Sequence, residues 1–305
     1  MSAVIVEDLN NNFSLDNAKY SLGFEVGDGG IPVAKISNVY ATACISLQGA
    51  NVLSWQPEGE ADVIWLSNDA IFSPGKSVRG GIPICWPWFG PHKTRPDFPA
   101  HGFARTCLWQ VVGSRQLDSG QTQVDFRLDT TQLDQQIQQM WSTATVLDVQ
   151  ITIGRTLSLS MTSCNNSTET IAIGEALHTY FSINDISETT VTGLEDVSYL
   201  DKTDSFKNKV QSGCVVIDGE VDRVYLKTSD VVMIDDGVRR IIIDKTGSQT
   251  TVIWNPGAII AAKMGDLGVD GFRKMLCVES ANAADDIIQL LPGERHTLTV
   301  TYSVQ

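Results

Sequence analysis

The sequence has little helical periodicity, few basic residues and no long apolar run. No stretch approaches the roughly 18 consecutive apolar residues that a membrane-spanning helix needs, so we expect no membrane partner. The six cysteines stand one at a time without Cys-x-x-Cys spacing, which argues against a zinc site and against a redox motif. We expect these cysteines to be reduced and mostly buried as small apolar residues.

Acidic residues outnumber basic residues. The chain has 22 lysines and arginines against 36 aspartates and glutamates, which gives a formal net charge of −14. Such a surface repels nucleic acid and anionic membranes alike, so an anionic ligand requires a local cluster of positive charge. Residues 1–9 lack the basic start and the apolar run of a secretion signal, and we therefore expect a cytosolic protein.

Short runs of alternating apolar and polar residues recur along the chain, and most are rich in β-branched or aromatic residues, which predicts strands. The predicted strands are residues 33–36, 43–47, 52–55, 63–65, 124–128, 146–153, 156–163, 171–181, 231–234, 241–243, 251–254, 275–278, 287–291 and 296–302. Many strands without a β-α-β rhythm predict an all-β fold of large, mainly antiparallel sheets packed face to face. No repeat or linker divides the sequence, so we expect one domain over residues 1–305.

Helices and hairpins are predicted at a few places only. Residues 132–140 form either a short helix or a polar excursion, and residues 258–264 follow a turn with good helix formers. A cluster of turn formers predicts a hairpin between residues 156–164 and 171–181. Pro292-Gly293 predicts a second hairpin turn.

The densest chemical signal is the stretch Arg79-Gly-Gly-Ile-Pro-Ile-Cys-Trp-Pro-Trp-Phe-Gly-Pro-His, followed closely by His101-Gly-Phe-Ala-Arg105. An arginine fork donates two parallel hydrogen bonds and keeps its charge at physiological pH, which suits phosphate or carboxylate. Arg79 and Arg105 beside aromatic rings therefore indicate a pocket for a small anionic ligand. The alternative is that they are surface arginines paired with carboxylates. The paired glycines allow positive φ and close backbone approach.

The aromatic and histidine residues of this region have two interpretations. We expect some rings of residues 86–89 to be buried and one to line the ligand. His101 either contacts ligand or is a hydrogen-bonded structural residue. If residues 101–105 are extended, His101 and Arg105 point the same way, because residues i and i+4 line one side of a strand. His92 and His296 have no supporting neighbours, and we expect them at the surface.

His178 and Glu279 are polar residues in apolar surroundings. His178 stands at the end of a largely apolar strand, and Glu279 interrupts the apolar run 275–282. A buried carboxylate is costly without partners. The two are either structural polar groups or a general acid and a general base that face each other across a pocket. Asp222 is a weaker candidate, for which a solvated loop or an ion pair with Arg223 is the alternative.

Several ordered segments together resemble a known family. They are residues 79–90, 101–105, 177–181, 222–225, 254–256 and 277–279. In order and spacing they resemble the bacterial hexose-6-phosphate mutarotases, also called glucose-6-phosphate 1-epimerases, within the galactose-mutarotase-like superfamily of aldose 1-epimerases. The resemblance covers nearly the whole chain. It implies a β super-sandwich, a cytosolic monomer, a sugar phosphate as ligand, no metal and no organic cofactor.

By the same resemblance, His178 matches the family's general acid and Glu279 matches its general base. Arg79 and Arg105 match phosphate or sugar contacts, and Asp222 matches a further substrate-binding position. The implied reaction interconverts the α and β anomers of a hexose 6-phosphate. An ionised Glu279 takes the proton of the C1 hydroxyl while a protonated His178 donates to the ring oxygen.

One position departs from the family pattern. Related eukaryotic members look to have a substrate-contacting glutamine before the His-Gly-Phe-Ala-Arg motif, whereas this chain has Ala100. A contact there is lost or supplied by another residue, such as Trp86 or His101, which by resemblance is the superfamily's second histidine near the ring. Two other functions stay open: an aldose 1-epimerase of neutral sugars, and a non-catalytic carbohydrate-binding sandwich.

Overall fold

The structure is a computed structural model, and it describes residues 2–305. Its helices in this range are α1 Ser2–Phe13, α2 Gln135–Met140 and α3 Gly257–Ala261. Its strands are β1 Leu15–Asn17, β2 Tyr20–Val26, β3 Pro32–Ser37, β4 Ala41–Ser46, β5 Asn51–Pro57, β6 Ile84–Cys85, β7 Gln110–Gln116, β8 Thr122–Asp129, β9 Thr145–Ile153, β10 Leu157–Asn165, β11 Ile171–Ile173, β12 Glu175–Leu177, β13 Tyr180–Ser182, β14 Thr190–Thr192, β15 Ser198–Asp201, β16 Lys207–Val210, β17 Val215–Val216, β18 Val221–Leu226, β19 Val232–Asp235, β20 Arg240–Thr246, β21 Thr250–Asn255, β22 Met275–Asn282, β23 Ile288–Leu290 and β24 Arg295–Val304.

These strands form three large antiparallel sheets and one small one. The nine-stranded sheet has the order β17-β14-β19-β20-β24-β10-β9-β8-β7, and the five-stranded sheet runs from β1 to β5 in sequence order. The eight-stranded sheet has the order β16-β15-β18-β21-β22-β12-β6, with β13 also paired to β22, and β11 pairs with β23 alone. The predicted all-β fold of large antiparallel sheets with few short helices is confirmed.

Most predicted strands are confirmed, but the long one is interrupted. Residues 171–181 form three short strands, because the chain leaves the extended ladder at Gly174 and again at His178-Thr179. Residues 63–65 form no strand and contribute only an isolated bridge from Ile64 to Phe181. The two predicted helical segments are confirmed in shorter form as α2 and α3.

The predicted hairpin between residues 156–164 and 171–181 is wrong. β10 pairs with β9 and β24, whereas β11 pairs with β23, and β12 pairs with β22 and β6. The turn formers after β10 therefore carry the chain from one sheet to another. The turn at Pro292-Gly293 is present, since the Glu294 N–H donates to the Leu291 carbonyl at 3.0 Å, but it also joins strands of different sheets.

Helix α1 was not predicted. Its β-branched residues have low helix propensity, so the sequence gave little indication of a helix here. Packing stabilises it, because Val6, Leu9 and Phe13 lie against the main apolar core. The Asn10 side chain also donates to the Phe24 carbonyl and accepts from its N–H, both at 2.8 Å. Tertiary contacts thus outweigh propensity here.

Strand β22 of the eight-stranded sheet is buried on both faces. Successive side chains of a strand point to opposite faces, so Leu276 and Val278 of β22 join the main core while Cys277 and Glu279 point the other way. Across the core, the Thr179 hydroxyl lies 2.7 Å from the Tyr302 hydroxyl of the nine-stranded sheet. The face turned away from the main core is the one that carries the candidate site.

Candidate active site

All six predicted site residues line one pocket on this face. They are Arg79, His101, Arg105, His178, Asp222 and Glu279. The remaining wall is formed by Ser77, Val78, Pro83, Phe89, Tyr180, Lys202, Val252 and Trp254. Strand register explains the floor, because Asp222 lies opposite Trp254, and Val252 lies opposite Glu279. Residues far apart in sequence therefore meet through neighbouring strands of one sheet.

His178 lies in the break between β12 and β13, where its N–H donates to the Pro83 carbonyl at 3.0 Å. Its ring stacks on Tyr180 with the centroids 5.0 Å apart and the planes 13° apart. The Trp254 ring meets it edge-on at 5.8 Å. These aromatic neighbours hold the plane of the imidazole.

Glu279 lies in β22, is only 2 % exposed, and stands beside His178. Its Oε1 is 3.4 Å from His178 Nε2, which is within ion-pair range but long for a hydrogen bond. The two groups are thus side by side, and the expectation that they face each other across the pocket is wrong. Glu279 Oε2 and His178 Nδ1 are buried without a hydrogen-bond partner among residues 2–305.

Burial moves the two pKa values in opposite directions. Desolvation, with the nearby charge of Asp222, raises the pKa of Glu279 well above its usual value. Desolvation also lowers the pKa of His178 well below its usual value, and His101, Arg105 and Arg79 add to this. These shifts favour a protonated carboxyl beside a neutral imidazole, the reverse of the charges expected from the sequence. Both arrangements hold the same total number of protons.

Arg79 is held by two partners. Its Nε donates to Asp266 Oδ1 at 3.2 Å, and its Nη1 donates to the Tyr180 hydroxyl at 3.1 Å. The expected role of the paired glycines is confirmed: Gly80 has φ +114°, and a Cβ there would lie 2.6 Å from the Trp65 carbonyl oxygen. Close packing of the backbone thus positions the arginine at the pocket edge.

Residues 101–105 are not extended, contrary to one expectation. His101 has φ +68° in a turn, and a short 3₁₀ turn spans Ala104–Thr106. His101 and Arg105 nonetheless both line the pocket. Burial, followed by the charges of Arg105 and Lys202, lowers the pKa of His101 to about 3, so this imidazole is neutral.

The departure at Ala100 has a local structural consequence. Arg105 Nη2 donates to the Ala100 carbonyl oxygen at 2.9 Å, so the backbone of this position holds the arginine. Trp86 does not replace the missing side chain, because it is fully buried and its Nε1 donates to the Ser163 hydroxyl at 3.0 Å. Phe89 is the one aromatic of residues 86–89 that lines this pocket, as expected for such a segment.

Asp222 forms an ion pair, but not with Arg223. Its Oδ2 lies 2.6 Å from Lys202 Nζ, while Arg223 points to the other face and donates to the Gln211 side chain at 3.1 Å. Burial raises the pKa of Asp222, and its Oδ1 is buried without a partner among the described residues. Lys202 was missed by sequence reasoning, because it belongs to a polar turn with no motif around it.

The other histidines are not free on the surface. His92 packs edge-on against Trp88 with the ring centroids 4.8 Å apart. His296 is 20 % exposed, and its Nε2 lies 3.6 Å from Glu175 Oε1. Both are half-buried, His92 by an aromatic ring close to it in sequence and His296 by the distant Glu175.

Further expectations concern thiols, metals and membranes. All six cysteines are free, and all except the exposed Cys214 are buried. Among residues 2–305, no group of three His, Cys, Asp or Glu side chains is placed to hold a metal ion. In the same part of the chain, no helix has the length and apolar character needed to cross a membrane.

Known proteins with similar sequences point to one family. A family model described as aldose 1-epimerase matches residues 32–303. A protein of Escherichia coli strain K12 named "Putative glucose-6-phosphate 1-epimerase" is 37 % identical over 246 residues, which cover 80 % of each chain. A protein of Cenchrus ciliaris with the same name is 35 % identical over 261 residues, covering 82 % of this chain and 77 % of the relative.

Solved structures give the same result. The crystal structure of a "putative mutarotase" from Salmonella typhimurium superimposes with a TM-score of 0.85 at 30 % identity, covering 98 % of this chain and 99 % of that one. A galactose mutarotase-like protein from Clostridium acetobutylicum, at 14 % identity and a TM-score of 0.73, shares the fold over 95 % of this chain and 99 % of its own. The chain therefore belongs to the aldose 1-epimerase family of isomerases.

Proposed function

We propose that the protein interconverts the α and β anomers of a hexose 6-phosphate, with glucose 6-phosphate as the first candidate. The observation that carries the proposal is the 3.4 Å separation of His178 Nε2 and Glu279 Oε1 on the floor of a pocket. The names of the relatives from E. coli and C. ciliaris support the phosphorylated substrate. Cations in the pocket wall, in a chain of net charge −14, support it as well.

The side-by-side arrangement suits the reaction. Opening a pyranose requires one proton to leave the C1 hydroxyl and one to reach the ring oxygen. Both oxygens are bonded to the same carbon, so an acid and a base that lie side by side can serve them together.

Two proton transfers account for each ring opening. The Glu279 carboxylate takes the C1 hydroxyl proton, and the His178 imidazolium gives a proton to the ring oxygen as the C1–O5 bond breaks. The product is the open-chain aldehyde beside a protonated Glu279 and a neutral His178. Rotation about the C1–C2 bond presents the other carbonyl face, and the reverse transfers close the ring as the other anomer.

The pKa shifts caused by burial favour one protonation state of this cycle. A protonated carboxyl with a neutral imidazole is the state that follows ring opening, and it is the state that the pKa shifts favour. The pocket therefore stabilises the charge arrangement that accompanies the open-chain intermediate. General acid–base groups contribute roughly 10²–10⁴-fold in rate, so an adjacent pair suffices for a reaction that already proceeds in water.

We also propose that the chain acts as a monomer of one domain. In support, six site residues between positions 79 and 279 of a single chain line one pocket together. Elution from a sizing column at the 33.2 kDa of one chain, with one cooperative unfolding transition, is the expected result. Elution at twice this mass would contradict the monomer.

Anomer exchange measured by NMR tests the function. Purified protein is added to glucose and to glucose 6-phosphate, and the exchange rate between anomers is measured for each. We expect acceleration of both, with the larger kcat/KM for the phosphorylated sugar. Equal kcat/KM values would favour the neutral-sugar epimerase, and binding without faster exchange would contradict the proposed acid–base chemistry.

A further inference from the structure

The backbone of Tyr180 is held at several points beside the pocket. Its N–H donates to the Gly81 carbonyl at 3.0 Å, and its own carbonyl accepts from the Trp65 N–H at 2.9 Å. As the first residue of β13 it also lies opposite Cys277 of β22. Tyr180 is buried, and it is thus anchored by contacts that do not involve His178, two residues earlier in the chain.

The Tyr180 ring is held by its neighbours as firmly as the backbone. Trp65 stacks on it with the centroids 5.9 Å apart and the planes 20° apart, and Trp254 meets it edge-on at 6.0 Å. Its hydroxyl accepts from Arg79 Nη1 at 3.1 Å. This ring is the one that lies nearly parallel to the His178 imidazole, at 5.0 Å and 13°. The imidazole therefore stacks on a ring that is itself fixed.

The surroundings of His178 largely oppose a positive charge on its ring. Burial is the main cause of its lowered pKa, and the charges of His101, Arg105 and Arg79 follow it. In the proposed cycle the ring must nonetheless carry a proton before each ring opening. The titratable side chains around it are Arg79, His101, Arg105, Tyr180, Lys202, Asp222 and Glu279 of the pocket wall, together with the buried thiols of Cys85 and Cys277 on the neighbouring strands β6 and β22.

Two of these groups are placed to favour the protonated imidazole. Glu279 does so as a carboxylate at 3.4 Å, whereas the carboxylate of Asp222 is already paired with Lys202 at 2.6 Å. The other group is the Tyr180 ring. The face of an aromatic ring is electron-rich and attracts a cation within about 6 Å of its centroid, most strongly where water is excluded. The His178 ring lies inside this distance.

We propose that Tyr180 is a positioning residue of the reaction, whose ring stabilises the protonated form of His178 as well as its orientation. This inference rests on the proposed function and adds to it a residue that exchanges no proton. Burial raises the pKa of Tyr180 itself, so its hydroxyl stays protonated and its ring stays neutral. The stack offsets part of the cost of a buried imidazolium, which keeps both protonation states of His178 accessible during the cycle.

Tyr180→Leu removes the ring, and Tyr199→Leu is the matched control. Tyr199 is also buried in the eight-stranded sheet and packs on Tyr225 with the centroids 5.0 Å apart, but it lies outside the pocket. The readout is kcat/KM for glucose as a function of pH. We expect Tyr180→Leu to move the acid limb down by about one pH unit and to lower the plateau about tenfold, the value of one desolvated cation–π contact. Tyr199→Leu should leave the limb in place.

Tyr180→Phe separates the ring from the hydroxyl. This variant keeps the aromatic face and loses the contact with Arg79, which remains bound to Asp266. We expect its acid limb to stay close to that of the unmodified protein. A limb that moves as far as in Tyr180→Leu would assign the effect to the hydroxyl and would overturn the inference.

Tyr180→pentafluorophenylalanine keeps a ring in place, so it serves even if Tyr180→Leu does not fold. The fluorine atoms withdraw electrons and reverse the charge on the ring face, which then repels a cation. We expect its acid limb to lie below that of Tyr180→Phe, and equal limbs would overturn the inference. The pKa of His178, followed by NMR of its imidazole and assigned with His178→Gln, should fall in the same order.

The NMR titration keeps this test independent of turnover. If the unmodified protein does not accelerate anomer exchange, the proposed function fails, yet the pKa of His178 in the two ring variants still decides on the role of Tyr180. If exchange is accelerated and this pKa is the same with both rings, the inference fails and the function stands.

Discussion

The protein contains two histidine–glutamate pairs of nearly equal geometry. The pocket pair is His178 and Glu279, at 3.4 Å, and the inner pair is His296 and Glu175, at 3.6 Å. In both pairs burial raises the pKa of the carboxyl and lowers that of the imidazole, and the pKa of Glu175 reaches about 8. Only the pocket pair lines the candidate active site.

The surroundings distinguish the two pairs. The Ser163 hydroxyl donates to Glu175 Oε2 at 3.0 Å and in turn accepts from Trp86 Nε1 at 3.0 Å. Glu175 is fully buried, so this chain of neutral groups ends inside the core. The pocket pair instead faces cations and open space. A histidine beside a glutamate therefore does not by itself indicate catalysis. The pocket pair differs in that it faces open space and nearby positive charges.

The largest expected difference between the pairs is in turnover. Glu279→Gln removes the proposed base, and we expect kcat for anomer exchange to fall about 10²–10⁴-fold while sugar binding persists. Glu175→Gln should retain the normal rate, because Glu175 is mainly protonated near neutral pH and glutamine preserves a neutral side chain of similar shape. NMR exchange rates measure both. Near-normal exchange in Glu279→Gln would remove Glu279 from the mechanism.

The two pairs are expected to affect the pH dependence of stability in the same way, although only the pocket pair affects turnover. With its pKa raised from 4.5 to about 8, Glu175 binds more protons folded than unfolded between these values, so the free energy of unfolding falls as pH rises. Glu175→Gln removes this pH-dependent loss of unfolding free energy, which is on the order of a few kcal/mol. Urea unfolding at about pH 5 and about pH 8 measures it.

Glu279→Gln should act in the same direction, since the pKa of Glu279 is also raised. Both variants would then show a weaker decline of stability with pH, while only Glu279→Gln loses turnover. A Glu175→Gln protein that unfolds more easily than the unmodified chain at the higher pH would contradict the raised pKa of Glu175.

Sequence reasoning identified the members of the pocket pair but not their arrangement. Glu279 was identified because it interrupts an apolar run, and His178 because it stands at the end of a largely apolar strand. Their contact depends on β12 and β13 both pairing with β22, which is long-range information. The same limit explains the wrong hairpin, because turn formers indicate where the chain bends and not which strand it meets next.

Other features gave no local signal. Lys202 is recognisable only through its contact with Asp222, which lies 20 residues later on the adjacent strand. The helix α1 is stabilised by packing against the core, which propensity does not measure. The order of the motifs, by contrast, was enough to indicate the fold and the family.

The two arginines provide a comparison within the pocket. The sequence assigned both to phosphate or sugar contacts, but Arg79 is ion-paired to Asp266 and Arg105 is not paired with a carboxylate. We expect Arg105→Met to reduce the preference for glucose 6-phosphate over glucose about 10- to 100-fold. Arg79→Met should reduce this preference less, because Asp266 already compensates the charge of Arg79. An equal or larger loss of this preference in Arg79→Met would show that the ion pair with Asp266 does not limit the contribution of Arg79.

The smallest expected effect is on the position of the pH profile of the pocket pair. Turnover requires one proton shared between His178 and Glu279, so activity is lost when the pair gains a second proton in acid or loses its only proton in alkali. Burial lowers the pKa of His178 below its usual 6.5 and raises that of Glu279 above its usual 4.5, so the acid limb is governed mainly by His178 and the alkaline limb mainly by Glu279.

Glucose is the suitable substrate for this measurement, because it carries no phosphate that titrates in the same range. We expect kcat/KM to form a plateau whose acid limb lies below pH 6.5. Glu175→Gln should leave both limbs in place, since the inner pair does not contact substrate. An acid limb at or above 6.5 would contradict the lowered pKa of His178.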